Sequence, residues 1–287
     1  MRYLKEFANA NEIQTALENG ELGKPYVAYI ESEDRIDWNT KFIDYSKKYL
    51  TFKITSAGTI NVPTGTTYSI DGGEWENTGT TLAVNGGKSI RFKGTNGSYF
   101  VNSFGGSTAG FNVEGNIMSL IYGDNFIGQT SLNNSYTFVN LFDNCTDLTS
   151  AENLILPATT LAGSCYQGMF SGCTSLATAP ELPATTLTNN CYQSMFGGCS
   201  SLTTAPELPA TTLANSCYYQ MFYGCRNLNY IKCLATDKSA YDCTKNWTYN
   251  VSTSGTFVKA AGVTWQIDVP SSLYHSGIPS GWTVQEV

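Results

Sequence analysis

One arithmetic regularity constrains this chain more than any other: Cys165, Cys191 and Cys217 are spaced 26 residues apart, and so are Cys173, Cys199 and Cys225. The residues around them keep step: Tyr166, Tyr192 and Tyr218; Met169, Met195 and Met221; Phe170, Phe196 and Phe222; Leu176, Leu202 and Leu228. Residues 178–187 (TAPELPATTL) recur unchanged at 204–213, and a looser copy runs from Phe142 and Cys145 to Leu156-Pro-Ala-Thr-Thr-Leu161. A fixed period of this length predicts a solenoid, because one such unit cannot bury its apolar face alone and relies on its neighbours.

Within a unit, the apolar positions 191, 192, 195, 196 and 199 fall at i, i+1, i+4, i+5 and i+8, which predicts a short helix with Cys, Met and Phe inward. Gly197 and Gly198 are expected to end it, and Pro206 and Pro209 to lie at turns, since proline cannot donate to a strand ladder. The cysteines of one unit have seven or 17 residues between them, not the two to four of zinc knuckles. On a helix, Cys191 and Cys199 would stand about 12 Å apart, too far to bridge. All nine are therefore expected as buried free thiols acting as small hydrophobes, with Cys233 and Cys243 the pair a disulfide would use.

The repeating residues resemble the BspA-like leucine-rich repeats. The resemblance rests on Phe170-x-x-Cys173-x-x-Leu176, its copies at 196–202 and 222–228, the looser one at 142–148, and the Leu-Pro-x-x-x-Leu segments that follow. It covers residues 142–233, and the chain departs from the family in its longer unit, its second Cys per unit and Met before Phe. The resemblance implies a leucine-rich-repeat solenoid and an association with bacterial surfaces and attachment.

Upstream, residues 1–20 read as a short amphipathic helix stopped by Gly20, residues 25–30 as a strand, and the acidic stretch 31–37 (ESEDRID) as a solvated hairpin tip. Alternating apolar residues follow: Leu50, Phe52, Ile54; Ile60, Val62; Tyr68, Ile70; Leu82, Val84; Ile90, Phe92. With turn signals between them, they predict a small immunoglobulin-like β-sandwich. Gly, Ser and Asn dominate residues 94–110, which predicts a linker, and residues 111–122 a first, atypical coil. The expected organisation is an attachment segment at 1–40, a β-sandwich at 41–105, the solenoid at 106–233 and a β-rich cap at 234–287, in a fold that is mainly β with short helices.

A net charge of −7 opposes the counterion release behind nucleic-acid binding, and no apolar run approaches the 18 residues of a membrane span. Neither nucleic acid nor membrane insertion is expected. His275 is the single histidine, so no multi-histidine metal site can form within one subunit, and no G-x-S-x-G or P-loop motif accompanies it. No catalytic residue, metal or cofactor is therefore expected, and a carbohydrate-active enzyme is the most remote reading. Tyr219 and Tyr223 stand where other units carry Gln or small residues, and they are the candidate ligand-binding residues, because tyrosine offers flat contact area at low entropy cost.

The opening residues show no charged region followed by an apolar run and a small-residue cleavage site, so Sec export is not expected. Its first residues, Arg2-Tyr-Leu-Lys-Glu-Phe7, with the strand at 25–30, are similar to the attachment segments that begin tail, fibre and head-decoration proteins of phages of gut bacteria. That similarity implies a virion appendage, docked to virion structural proteins by its N-terminus and presenting the repeats to a host-surface glycan or protein. A bacterial cell-surface adhesin and a purely structural decoration protein are the alternatives. The sequence leaves room for a homo-oligomer, although no heptad run specifies one.

Overall fold

The computed structural model describes residues 45–77, 79–95, 103–269 and 274–287. The expectations for residues 1–20, 25–30 and 31–37 lie outside them. Residues 45–287 belong to a single compact unit.

The fold is mainly β. Strands β1 (Leu50–Ser56), β2 (Gly58–Asn61), β3 (Thr66–Ile70), β4 (Glu76–Asn77), β5 (Thr81–Val84) and β6 (Ser89–Gly94) occupy the alternating segment. There follow β7 (Gly110–Asn116), the one described α-helix, α1 (Ser119–Tyr122), and β8 (Leu148–Ile155). Later come β9 (Tyr230–Cys233), β10 (Gly255–Lys259), β11 (Ile267–Asp268), β12 (Ile278–Pro279) and β13 (Trp282–Glu286). The largest sheet has the order β4-β3-β6-β1-β7-β8, while β2 and β5 pair separately. β7 is the pivot: it runs antiparallel to β1 and parallel to β8. Gly115 makes this possible, since its φ is +85° and a side chain there would collide with the Tyr49 carbonyl.

The sheet therefore crosses the boundary expected near residue 105, and the linker expected at 94–110 is, over its described part, a packed segment. Phe104, Ser107 and Ala109 are buried, and the amides of Phe104 and Gly106 donate to the carbonyls of Leu141 and Asp143. Composition misleads here because small residues serve close packing as well as flexibility. Ser119 ties the elements together, accepting from the amide of Leu50 (2.9 Å) and donating to the carbonyl of Phe92 (2.9 Å).

In the repeats, residues 191–199 and their counterparts form consecutive turns rather than the expected helices. Every fourth residue lies in the left-handed region: Ser164, Gly168, Gly172; Asn190, Ser194, Gly198; Ser216, Gln220, Gly224; Asp242, Asn246, Asn250. Most are Gly, Asn, Asp or Ser, the short residues that tolerate this conformation best. Backbone amides then alternate in purpose. Those of Gln193, Met195 and Gly197 close turns onto the carbonyls three residues back, whereas those of Tyr192, Ser194, Phe196 and Gly198 donate to Cys217, Tyr219, Met221 and Tyr223 in the next unit at 2.7–3.1 Å. A helix would spend all these amides on itself. The apolar pairs recur every four residues, not every 3.6, and that period belongs to the turn run.

On another side of each unit, parallel bridges join Ser150 to Thr178 and Thr204 to Tyr230, then full strands join β9 to β10 and β10 to β13. The strands shrink to bridges where the TAPELPATTL copies carry two prolines each, which lack the amide that a ladder requires.

The interior is a set of columns. Phe104, Phe142, Phe170, Phe196 and Phe222 stack in succession at 5.3–5.8 Å. Phe138, Tyr166, Tyr192 and Tyr218 stack at 5.7–6.2 Å. The Phe column begins inside the first sheet, where Phe52 lies 4.7 Å from Phe104. All nine cysteines are free and buried. The thiols of Cys145, Cys173, Cys199 and Cys225 each donate to the carbonyl of the phenylalanine one unit back, Phe104, Phe142, Phe170 and Phe196, at 3.0–3.2 Å. Burial pushes the thiols of Cys145, Cys165, Cys225 and Cys233 up to about 12, and it raises those of Cys173, Cys191, Cys199 and Cys217 as well. None is a candidate nucleophile, since the thiolate is the reactive form.

Candidate functional site

Because each turn run from Ser164 onward is hydrogen-bonded to the next in register, a side chain there finds its neighbour 26 positions along. Outside, as inside, this aligns rings. Tyr223 and Tyr249, each 41% exposed, stack face to face at 4.8 Å with planes 18° apart. His275, a further 26 residues on, meets Tyr249 edge-on at 5.0 Å. At the equivalent position before Tyr223 stands Gly197, so no side chain occupies that neighbouring slot. Tyr219, the other sequence candidate, is half-buried in the adjacent column, where the next residue is Lys245. The structure therefore separates the two candidates and joins Tyr223 to partners that sequence reasoning passed over. The signal for them was present: 223, 249 and 275 keep the same period as the cysteines.

Beside this row Lys245 bonds Asp242 (3.0 Å) and lies over the exposed ring of Tyr274 at 4.5 Å. The Asp242 hydrogen bond raises the Lys245 ammonium above its ordinary value. Tyr241 is the most exposed aromatic of this end of the molecule.

His275 links the row to a cleft of about 390 Å³. The wall is formed by the end of the last turn run, Thr248 and residues 250–253, together with Asp268, Val269, His275 and residues 279–281. Asp268 is 1% exposed. Its Oδ2 accepts from the Gly277 amide at 2.9 Å, while its Oδ1 has no hydrogen-bond partner. Burial raises this carboxyl above the usual carboxylate range; the Gly277 amide and His275 act in the opposite direction. The histidine backbone is fixed by its amide donating to Asn246 Oδ1 (3.2 Å), where Asn246 is one of the left-handed residues of the turn run. Nothing in the sequence marks Asp268, whose place depends on β11 pairing with β12.

No protein-family model matches the chain, and no curated protein or solved structure is significantly similar to it. Among the described residues no three His, Cys, Asp or Glu side chains are grouped to hold a metal ion. No described helix is long and apolar enough to cross a membrane.

The arrangement offers aromatic faces and edges held at fixed spacing on a hydrogen-bonded frame, next to a cleft whose polar groups are mostly uncharged. Such a surface recognises a partner by contact and hydrogen bonding.

Proposed function

We propose that this protein is a non-catalytic, surface-displayed binding or adhesion protein. In this reading the 26-residue units are a BspA-like leucine-rich-repeat solenoid continuous with an immunoglobulin-like β-sandwich, and the assembly is a phage virion appendage, a fibre or decoration protein. Residues 1–40 dock it to virion structural proteins, and the Tyr223–Tyr249–His275 row meets a host-surface glycan or protein.

The observation that carries the reading is the row itself. Rings on a solvent face gain little for folding, yet here three meet in succession: Tyr223 and Tyr249 on turn runs joined by inter-unit hydrogen bonds, and His275 held by its amide on Asn246 Oδ1. Rigid aromatic anchors of this kind lose little entropy on binding. The experiment is a sedimentation assay of the labelled full chain with cells of the host bacterium. Tyr223→Ala is expected to reduce capture at least about tenfold while lowering unfolding free energy by only about 1 kcal/mol, the size of one lost half-exposed ring pair. Capture that is absent, or unchanged in the variant, overturns the reading. Deletion of residues 1–40 is expected to abolish incorporation into particles, and undiminished incorporation refutes the docking role.

A further inference from the structure

Resting on that binding reading, we propose that the cleft beside His275 takes the terminal residue of a neutral saccharide, with Asp268 accepting hydrogen bonds from its hydroxyls and the tyrosine row supporting the sugar residues that follow.

The central observation is the state of Asp268. A carboxyl that is 1% exposed with one oxygen unpartnered works against folding, since burying an ionised group without full hydrogen bonding is costly. Its neighbours relieve this only in part: the Gly277 amide bonds Oδ2, and the Ser276 backbone and His275 also favour the carboxylate, yet burial outweighs them and Oδ1 keeps no partner. A residue that destabilises the fold while walling a cleft fits a role in binding, where a ligand donor completes its hydrogen bonding. Its raised carboxyl agrees with that geometry.

The rest of the wall narrows the ligand. Asn250, Ser252 and Thr253 provide uncharged donors and acceptors, and Val251 and Val269 provide apolar surface. A sugar presents hydroxyls at its rim and C–H groups on its faces, so it meets both kinds of wall at once, and its C–H faces suit Tyr223 and Tyr249. An anionic ligand is opposed by Asp268 and by the net charge of −7. A peptide added as a strand beside β12 needs unpaired strand amides, and Pro279, the β12 residue on this wall, has none.

The test is native affinity electrophoresis of the full chain through gels containing neutral polysaccharides (β-glucan, mannan, galactan, arabinoxylan), with pectate and polylysine as charged comparisons. Retardation by at least one neutral polymer is expected, little changed by added salt because no ion pair is involved. Tyr249→Ala and Asp268→Asn should each weaken it at least about tenfold. Asp268→Asn keeps an amide oxygen for the Gly277 amide and removes a buried charge, so it should melt no lower than the parent at neutral pH. Because the folded carboxyl is raised, the parent loses stability as pH rises through that value. The advantage of the variant should therefore vanish in acid and grow toward neutrality. Absence of retardation by every neutral polymer, retardation unchanged in both variants, or salt-sensitive capture by pectate or polylysine instead, would each overturn the proposal. A chain that sediments with host cells in a Tyr223-dependent way yet ignores every neutral polysaccharide refutes the saccharide and leaves the binding role standing. One that does neither refutes both.

Discussion

Inside the repeats, the residue 26 places beyond Tyr166 is Tyr192, and beyond that Tyr218; outside, the residue 26 places beyond Gly197 is Tyr223, then Tyr249, then His275. The two series share one backbone frame and obey different rules. Interior columns sit in a close-packed core where a change of one methylene is felt, so each member must match the volume of the last. When the interior series does change, it compensates locally. Trp247 stands in the Met221 position, and its indole reaches both the Tyr218 ring (6.3 Å) and the Phe222 ring (6.4 Å), while Thr244 and Thr248 replace the two bulky neighbours. The outer series has no such constraint, and its residues are free to vary with what they contact. The contrast teaches where recognition can reside in a repetitive protein: at positions held by the frame but not filled by the core.

The sharpest way to test the interior half of this contrast is alkali. All nine thiols are raised by burial, four of them to about 12, whereas in the unfolded chain a thiol ionises near about 8.5. A raised folded value means that stability is fully present below the unfolded value and is lost as pH rises past it. At pH near 9.5 each thiol should cost about 1.4 kcal/mol, on the order of 10 kcal/mol together, comparable with the whole stability of a domain. Denaturant titrations under reducing conditions should therefore show stability collapsing between about pH 8.5 and 10; an unchanged midpoint at pH 9.5 would mean the ladders are not buried as described. Next in size is Phe196→Ala, which opens the middle of the Phe column and should cost about 3–5 kcal/mol in the same titration. A loss under about 1 kcal/mol would show that the rings do not bear on one another. Smallest is Gln220→Gly, which relieves a long side chain from a φ of +53° and should raise stability by about 1 kcal/mol. A loss of stability instead would mean that the side chain of Gln220 contributes more than its backbone conformation costs.

Legibility in the sequence followed the same divide. The Cys, Tyr, Met, Phe and Leu positions are identifiable as core because identical residues at one spacing bury one another, and all of them are buried. The strands at β1, β2, β3, β5 and β6 fall on the alternating runs from which they were expected. The turn runs were misread as helices because i, i+1, i+4, i+5 fits one helical face over two turns. The difference between periods of 3.6 and four is small across nine residues. Asn190, Ser194 and Gly198 carried the correcting signal, since all three are residues that accept left-handed backbone. At the site, Tyr223 was legible as a departure from the repeat, whereas Tyr249 and His275 were concealed by the decay of the surrounding pattern after Leu228.

What the sequence by itself determined is the period, and with it which residues face inward, because burial between like neighbours requires only that the spacing be constant. What the tertiary structure decided is how the backbone spends its amides and where Asp268 lies. Whether the amide of Phe196 turns inward or toward Met221 depends on a carbonyl 25 residues away being present at hydrogen-bond distance, here 3.0 Å. Asp268 becomes a buried, half-satisfied carboxyl only once β11 and β12 have paired. Local sequence sets a residue's preferences, but a hydrogen bond between distant segments exists only after the chain has brought them together.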